Sequence, residues 1–167
     1  MYLGVWEDGQ FIGAVIFGIG AGNATNGQRY GLARIGEMAE LTRVALRDGH
    51  RTTVSRIVSI ALKMLKRQSP GIRLVISMAD PAHDHIGGIY QAGNWIYTGK
   101  TDPDVQYFRN GKWVHHRTAT NAGSVVGLPT RKTPPKYRYL YPLDDAMRRQ
   151  IEPLRRPYPK RERASEV

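Results

Sequence analysis

The chain has 167 residues, 41 % of them apolar, no cysteine, and 25 Lys and Arg against 14 Asp and Glu, for a net charge of +11. That length suits one domain, or one domain and a tail, with enough apolar residues to bury a core; the missing cysteines exclude disulfides, thiolate zinc sites and a cysteine nucleophile. No apolar run approaches the roughly 20 residues that cross a bilayer, and Met1–Trp6 lacks the basic n-region of a secretory signal, so the sequence reads as a soluble cytoplasmic protein whose charge favours a polyanion, nucleic acid first.

Leu3–Trp6 and Phe11–Phe17 are β-rich runs around Glu7-Asp8-Gly9-Gln10, and the Asp-Gly pair supplies the positive φ of a tight hairpin. Gly18–Gln28 reads as a loop, and Ala39–Leu46 alternates like a third strand, with Leu41, Arg43 and Ala45 on one face. Arg47–Arg51 is the following turn. From Thr52 onward, Val54, Ile57, Val58, Ala61 and Leu65 mark one face of a helix, with Thr52 or Thr53 at its start and Pro70-Gly71 stopping it. Leu74–Asp80 is a continuous apolar run, as expected for a strand covered on both faces. Asp84 is placed to cap a short helix over Ile86–Ala92, and Trp95–Thr98 forms another strand. Asn110-Gly111 joins Val105–Arg109 to Lys112–Val114 as a hairpin. Lys136–Tyr141, alternating basic with aromatic or aliphatic residues, reads as an edge strand. Strands alternating with helices predict an α/β or α+β sheet with helices packed on it.

The charge is uneven. Residues 1–128 hold 14 basic and 9 acidic residues, a net of +5, whereas residues 129–167 hold 11 and 5, a net of +6. Three prolines among the arginines of Pro153–Arg163 give the profile of a basic, partly disordered tail, so the chain divides into a domain over 1–142 and a tail over 143–167.

Three places can carry chemistry. The Arg47–Ser55 junction runs from a strand through Gly49 to a helix start, where free N–H groups and Arg47, Arg51, Thr53 and Ser55 suit an anion; an ordinary capped helix explains it too. Asp80, just past the buried strand, lies where ligand sites of open sheets tend to lie, and its carboxylate can act as a base or orient an amine. With His83 and His85 it also offers a two-His, one-carboxylate metal set. Tyr90 can donate its phenolic proton to a leaving group or serve as a core anchor. His115 and His116, in a basic hairpin, suit solvent or phosphate better than metal. Tyr97, Tyr107, Tyr137, Tyr139 and Tyr141 can stack on bases or fill half-buried sheet positions.

Glu40-Leu41-Thr42-Arg43, then Ser55, then Ser77-Met78-Ala79-Asp80, His85–Ala92 with Asn94–Gly99, and Lys136-Tyr137-Arg138-Tyr139 together resemble the phage Mom DNA-modification proteins, over about residues 3 to 142. That family in turn resembles the acetyltransferase superfamily of the GNAT fold. The resemblance implies a GNAT-like central mixed sheet flanked by helices, in a version without a counterpart for the strand and helices that usually open the fold. It implies modification of adenine to N6-carbamoylmethyladenine on DNA, protecting it from host restriction in an infected or prophage-carrying bacterium, with acetyl-CoA as the donor-side cofactor. Arg43, Asp80 and Tyr90 match the residues associated with activity. Arg43 would neutralise an anion, Asp80 would take a proton from the adenine amine or orient it, and Tyr90 would protonate a leaving thiolate. Ser55, with Arg47, Gly49, Arg51 and Thr53, would hold the cofactor, although this turn lacks the second small residue of the usual acetyltransferase pyrophosphate loop. A non-catalytic DNA-binding protein, or a GNAT-type N-acetyltransferase acting on a protein or small amine, are the alternatives.

Overall fold

The computed structural model describes residues 1–20 and 27–160, leaving the middle of the expected Gly18–Gln28 loop and the end of the expected tail, Arg161–Val167, outside the described residues. Strands β1 (Tyr2–Glu7) and β2 (Gln10–Gly18) form the hairpin expected around Asp8 and Gly9, both at positive φ. Strand β3 (Met38–Leu46) pairs with β2, and helix α1 (Val54–Gln68) returns the chain so that β4 (Leu74–Ala79) lies parallel to β3. After helix α2 (Gly88–Ala92) come β5 (Ile96–Lys100) and an excursion containing β6 (Val105–Arg109), β7 (Lys112–His115), α3 (His116–Asn121) and β8 (Thr130–Lys132). Strand β9 (Tyr137–Pro142) and helix α4 (Asp145–Ile151) follow. The main mixed sheet has the order β1-β2-β3-β4-β9-β5, and a small sheet has the order β7-β6-β8.

Side-chain alternation splits the main sheet into two packed faces. On the front, Val75, Ala79, Tyr139 and Leu41 meet Ile57, Val58, Ala61 and Leu65 of α1 and Tyr90 of α2. On the back, Leu74, Ile76, Leu140 and Ile96 meet Tyr30, Leu32 and the α4 residues Met147 and Ile151. The uninterrupted apolar run of β4 is thus a strand covered on both sides, as its sequence suggests.

Four expectations change. Lys136–Tyr141 is interior, hydrogen-bonded to β4 on one side and β5 on the other, with Tyr139 and Leu140 wholly buried. Its basic residues mislead because Lys136 and Arg138 lie at the strand's start, at the rim of the sheet, where long side chains reach water. The stretch from Leu143 begins inside the domain: Leu143, Met147 and Ile151 recur every four residues and are buried, and Asp144 caps α4 by accepting the Met147 N–H at 2.7 Å. Even the Pro-rich part is docked, since the Arg156 N–H donates to Tyr97 O and the Tyr158 hydroxyl to Trp95 O, closing the free edge of β5. Asp84 does not cap the following helix; at φ +59 it closes a 3-10 turn over Pro81–His83, and α2 starts after Gly87, at φ +87. Finally, Tyr97 and Tyr139 are buried core residues whose tilted rings pack against one another at 5.3 Å, so neither can stack on a base.

Candidate active site

Strands β3 and β4 pair only through Met38–Leu74, Ala39–Val75 and Glu40–Ile76, although β3 runs on to Leu46 and β4 to Ala79. Beyond Glu40 the two parallel strands part and leave a gap in the middle of the sheet. A carbonyl freed by such parting needs a new donor. Leu41 O receives it from the Ser77 hydroxyl at 2.9 Å, and the Ser77 oxygen lies 2.7 Å from the Tyr90 hydroxyl. Ser77 has one proton and spends it on Leu41, so Tyr90 is the donor in the second bond. The lone hydroxyl in an otherwise apolar strand is the sequence signal that marks Ser77, because a buried hydroxyl requires a partner.

Tyr90 is seated by its surroundings. Its ring packs 5.0 Å from both Trp95 and Tyr139. Burial raises its pKa, partly offset by the Ser77 bond, while the Glu40 charge adds to the rise. The phenol therefore stays protonated through the physiological range. Tyr139 in turn fixes the start of α2: its hydroxyl bonds Ile86 O and receives the Gln91 side chain at 3.2 Å.

Asp80 lies on the other face. In the register of β4 with β9, Met78 stands opposite Arg138 and Ala79 opposite Tyr137. The Lys136 ammonium is 3.1 Å from the Asp80 carboxylate, continuing that register on the back. Burial alone would raise the Asp80 pKa, but the Ala82 N–H at 2.9 Å, Lys136 and His83 outweigh it and leave it lowered. Arg43 shares this face. The β2–β3 register slips at Thr42, so Leu41, Val44 and Leu46 pack toward α1 while Arg43 pairs with Ile16 and is exposed. The simple alternation expected for this strand is thus rephased by a bulge. Arg43 and Asp80 flank the gap from the back, and Tyr90 and Ser77 close it from the front.

The expected anion-binding turn is partly filled by the chain itself. Arg51 N and Thr52 N each donate to the Glu7 carboxylate at 2.9 Å, and the Thr52 hydroxyl donates at 2.7 Å. The Arg51 guanidinium pairs with Asp8. Gly49 sits at φ +81 in the turn, the Arg47 N–H extends the β2 ladder to Ile12 O, and Thr53 precedes α1 without a side-chain cap. Ser55 lies elsewhere, with Arg56, Ser59, Asn94 and Arg148 around a front-face cavity of about 370 Å³. Nothing local in the sequence marks Glu7 for this role, because its partners lie more than 40 residues away.

Those three hydrogen bonds, first the one from Arg51 N, pull the Glu7 pKa down from 4.5 to about 2. A carboxylate lowered on folding contributes stability above its unfolded pKa and loses it as pH falls through the folded value. The difference in unfolding temperature between the native chain and Glu7→Gln is therefore expected to shrink between pH 4.5 and 2. Thermal melts at stepped pH measure this, and parallel curves would contradict it.

Two histidine sets bear on metal binding. His83 and His85 rings are 6.3 Å apart, and Asp80 is held by Lys136. The ligand atoms that do converge, among the described residues, are those of Asp104, His115 and His116. There His115 Nδ1 accepts the Arg117 N–H at 3.3 Å, which leaves the proton of the neutral ring on Nε2, facing Asp104 at 2.5 Å. That nitrogen donates to the carboxylate and has no lone pair to offer a metal in this arrangement.

A family model of the Mom protein family matches residues 1–160, which include every residue of the gap and both its faces. The chain is 29 % identical over 175 residues to the methylcarbamoylase Mom of Escherichia phage Mu, covering 96 % of this chain and 72 % of that protein. By the extent of the family match, the chain belongs to the Mom protein family.

Proposed function

We propose that this chain is a DNA adenine-modifying enzyme that converts adenine to N6-carbamoylmethyladenine and so shields phage DNA from restriction. Family membership across residues 1–160 is the observation that carries the proposal. The parted parallel strands, with a helix between them in sequence, support a GNAT-like reading of the sheet, in which two reactants meet through the gap from opposite faces.

The exocyclic amine of adenine is delocalised into its ring and is a weak nucleophile, so the site must orient it and stabilise the charge formed on attack. With its pKa lowered by Lys136 and Ala82, Asp80 is a poor proton abstractor. Its fixed carboxylate serves better to accept a hydrogen bond from N6 and to balance the positive charge developing there, and the N6 proton, held weakly once the nitrogen carries the new group, then passes to Asp80 or to water. Arg43, exposed across the gap, supplies a positive charge for an anionic group of a reactant. From the front, Tyr90 supplies a proton to the departing group by swinging its hydroxyl away from the Ser77 oxygen, which holds that proton at rest. A base within a duplex must leave its stack to enter such a gap.

Acetyl-CoA is a poorer fit as arranged. The turn expected to hold a pyrophosphate spends its Arg51 N–H, with that of the neighbouring Thr52, on Glu7, whose negative charge repels phosphate. Mass spectrometry of nucleosides from the DNA of cells expressing the chain tests the proposal; carbamoylmethyladenine is expected, and unmodified adenine alongside soluble protein would refute it.

A further inference from the structure

The back face carries a second cavity of about 490 Å³ at the same end of the sheet as Asp80, and its lining includes Arg29, Lys100, Arg138, Arg155 and Arg156 against the single carboxylate Asp102. At its wall lies Tyr30, only 5 % exposed, whose buried hydroxyl proton finds no acceptor among the described residues. Burial raises the Tyr30 pKa, while the charges of Arg138 and Arg29 and an approach of the Arg29 side chain to the hydroxyl oxygen oppose the rise. A buried hydroxyl proton without an acceptor is a cost to the fold unless something else supplies one. Surrounded by cations, that acceptor is an anion.

We infer that this cavity holds a backbone phosphate of DNA while the target base occupies the gap beside Asp80. The inference rests on the DNA-modification reading and names the surface that would grip the polymer. Three observations favour a phosphodiester chain over a small nucleotide. Arg29, Lys100, Arg155 and Arg156 are exposed and form an open row rather than an enclosed socket. Arg138 lies opposite Met78 on β4, two residues before Asp80, and Lys136 continues the same face to the Asp80 carboxylate. Among the described residues, Arg138 and Lys100 are also held in place without an ion pair, whereas Arg155 pairs with Glu152. Arg138 bonds Thr98 through Nε at 3.0 Å, and Lys100 lies 4.9 Å from the centre of the Tyr137 ring. Oriented guanidinium and ammonium groups beside a hydroxyl proton without an acceptor match the donors that phosphate oxygens accept.

The test measures binding of a short DNA duplex and the corresponding single strand by fluorescence anisotropy across a salt series. The full chain is compared with Tyr30→Phe and with the double variant Arg29→Ala/Lys100→Ala. The double variant is expected to bind about tenfold or more weakly, with a salt slope shallower by about 0.9 for each phosphate it no longer neutralises. Tyr30→Phe is expected to keep or raise the unfolding temperature, since the Tyr30 hydroxyl proton has no acceptor among the described residues, and still to bind DNA several-fold more weakly. Unchanged affinity and slope in both variants would overturn the inference. So would saturable binding of adenosine 3′,5′-bisphosphate that the same variants abolish while the DNA salt slope stays intact, because the cavity would then belong to a small-molecule phosphate. Loss of DNA binding in the variants, together with unmodified adenine in cells expressing the native chain, would leave the cavity standing and remove the enzyme. Modified adenine with fully retained binding in the variants would do the reverse.

Discussion

Tyr90→Phe is expected to reduce adenine modification by about 100-fold or more, the scale on which a positioned general acid acts, while leaving the protein folded. The substitution keeps the ring, and with it the packing against Trp95 and Tyr139. It removes only a hydroxyl whose proton points to Ser77, and Ser77 can still donate to Leu41 O. The stability cost should therefore be no more than about 1 kcal/mol, that of one neutral hydrogen bond. Because burial raises the Tyr90 pKa above its ordinary value, ionisation of this group should not limit activity at moderately alkaline pH. Nucleoside mass spectrometry and a thermal melt on the same preparation separate the two effects. A variant that melts normally and modifies DNA at the native rate would leave Tyr90 as a core anchor.

Gly87→Ala should be costly in both readouts. Gly87 sits at φ +87, where a β-carbon is strained, and that carbon would lie 2.7 Å from the Tyr139 hydroxyl and closer still to its ring. Tyr139 cannot retreat, being wholly buried between Tyr90 and Tyr97. Left-handed backbone strain and overpacking together cost about 2–5 kcal/mol, which lowers the unfolding temperature on the order of 5–15 °C for a chain of this size. The fold can relieve the overlap only by shifting α2, which carries Tyr90, so modification should fall with stability. A melt within about 1 °C of the native chain would mean that α2 does not depend on this contact.

The sequence makes some of this arrangement legible and hides the rest for physical reasons. Helix α1 is readable because its apolar residues keep one helical face over about three turns, and β4 because both of its faces are apolar. Asp80 and Tyr90 are recognisable as chemical groups at element ends. Their placement on opposite faces is not, because it depends on the register of β4 with β9, a pairing across some sixty residues. Arg43 reads as part of the right strand, but only the slip at Thr42 turns it to the face opposite α1. The region after Leu143 misleads because prolines and arginines dominate its composition, while three buried residues at helical spacing decide its structure. Glu7 lies beyond local reading altogether, since a carboxylate in a hairpin turn gives no sign that it will meet the start of a distant helix.

On the proposed reading adenine is modified at the gap between β3 and β4, with Asp80 receiving the amine. Parallel assays of the native chain and Asp80→Ala test it most directly, by nucleoside mass spectrometry on DNA from expressing cells and by DNA binding of the purified proteins. Carbamoylmethyladenine from the native chain, none from Asp80→Ala, and comparable salt-dependent binding by both are the predicted results. Modified adenine from Asp80→Ala at the native level would contradict that reading.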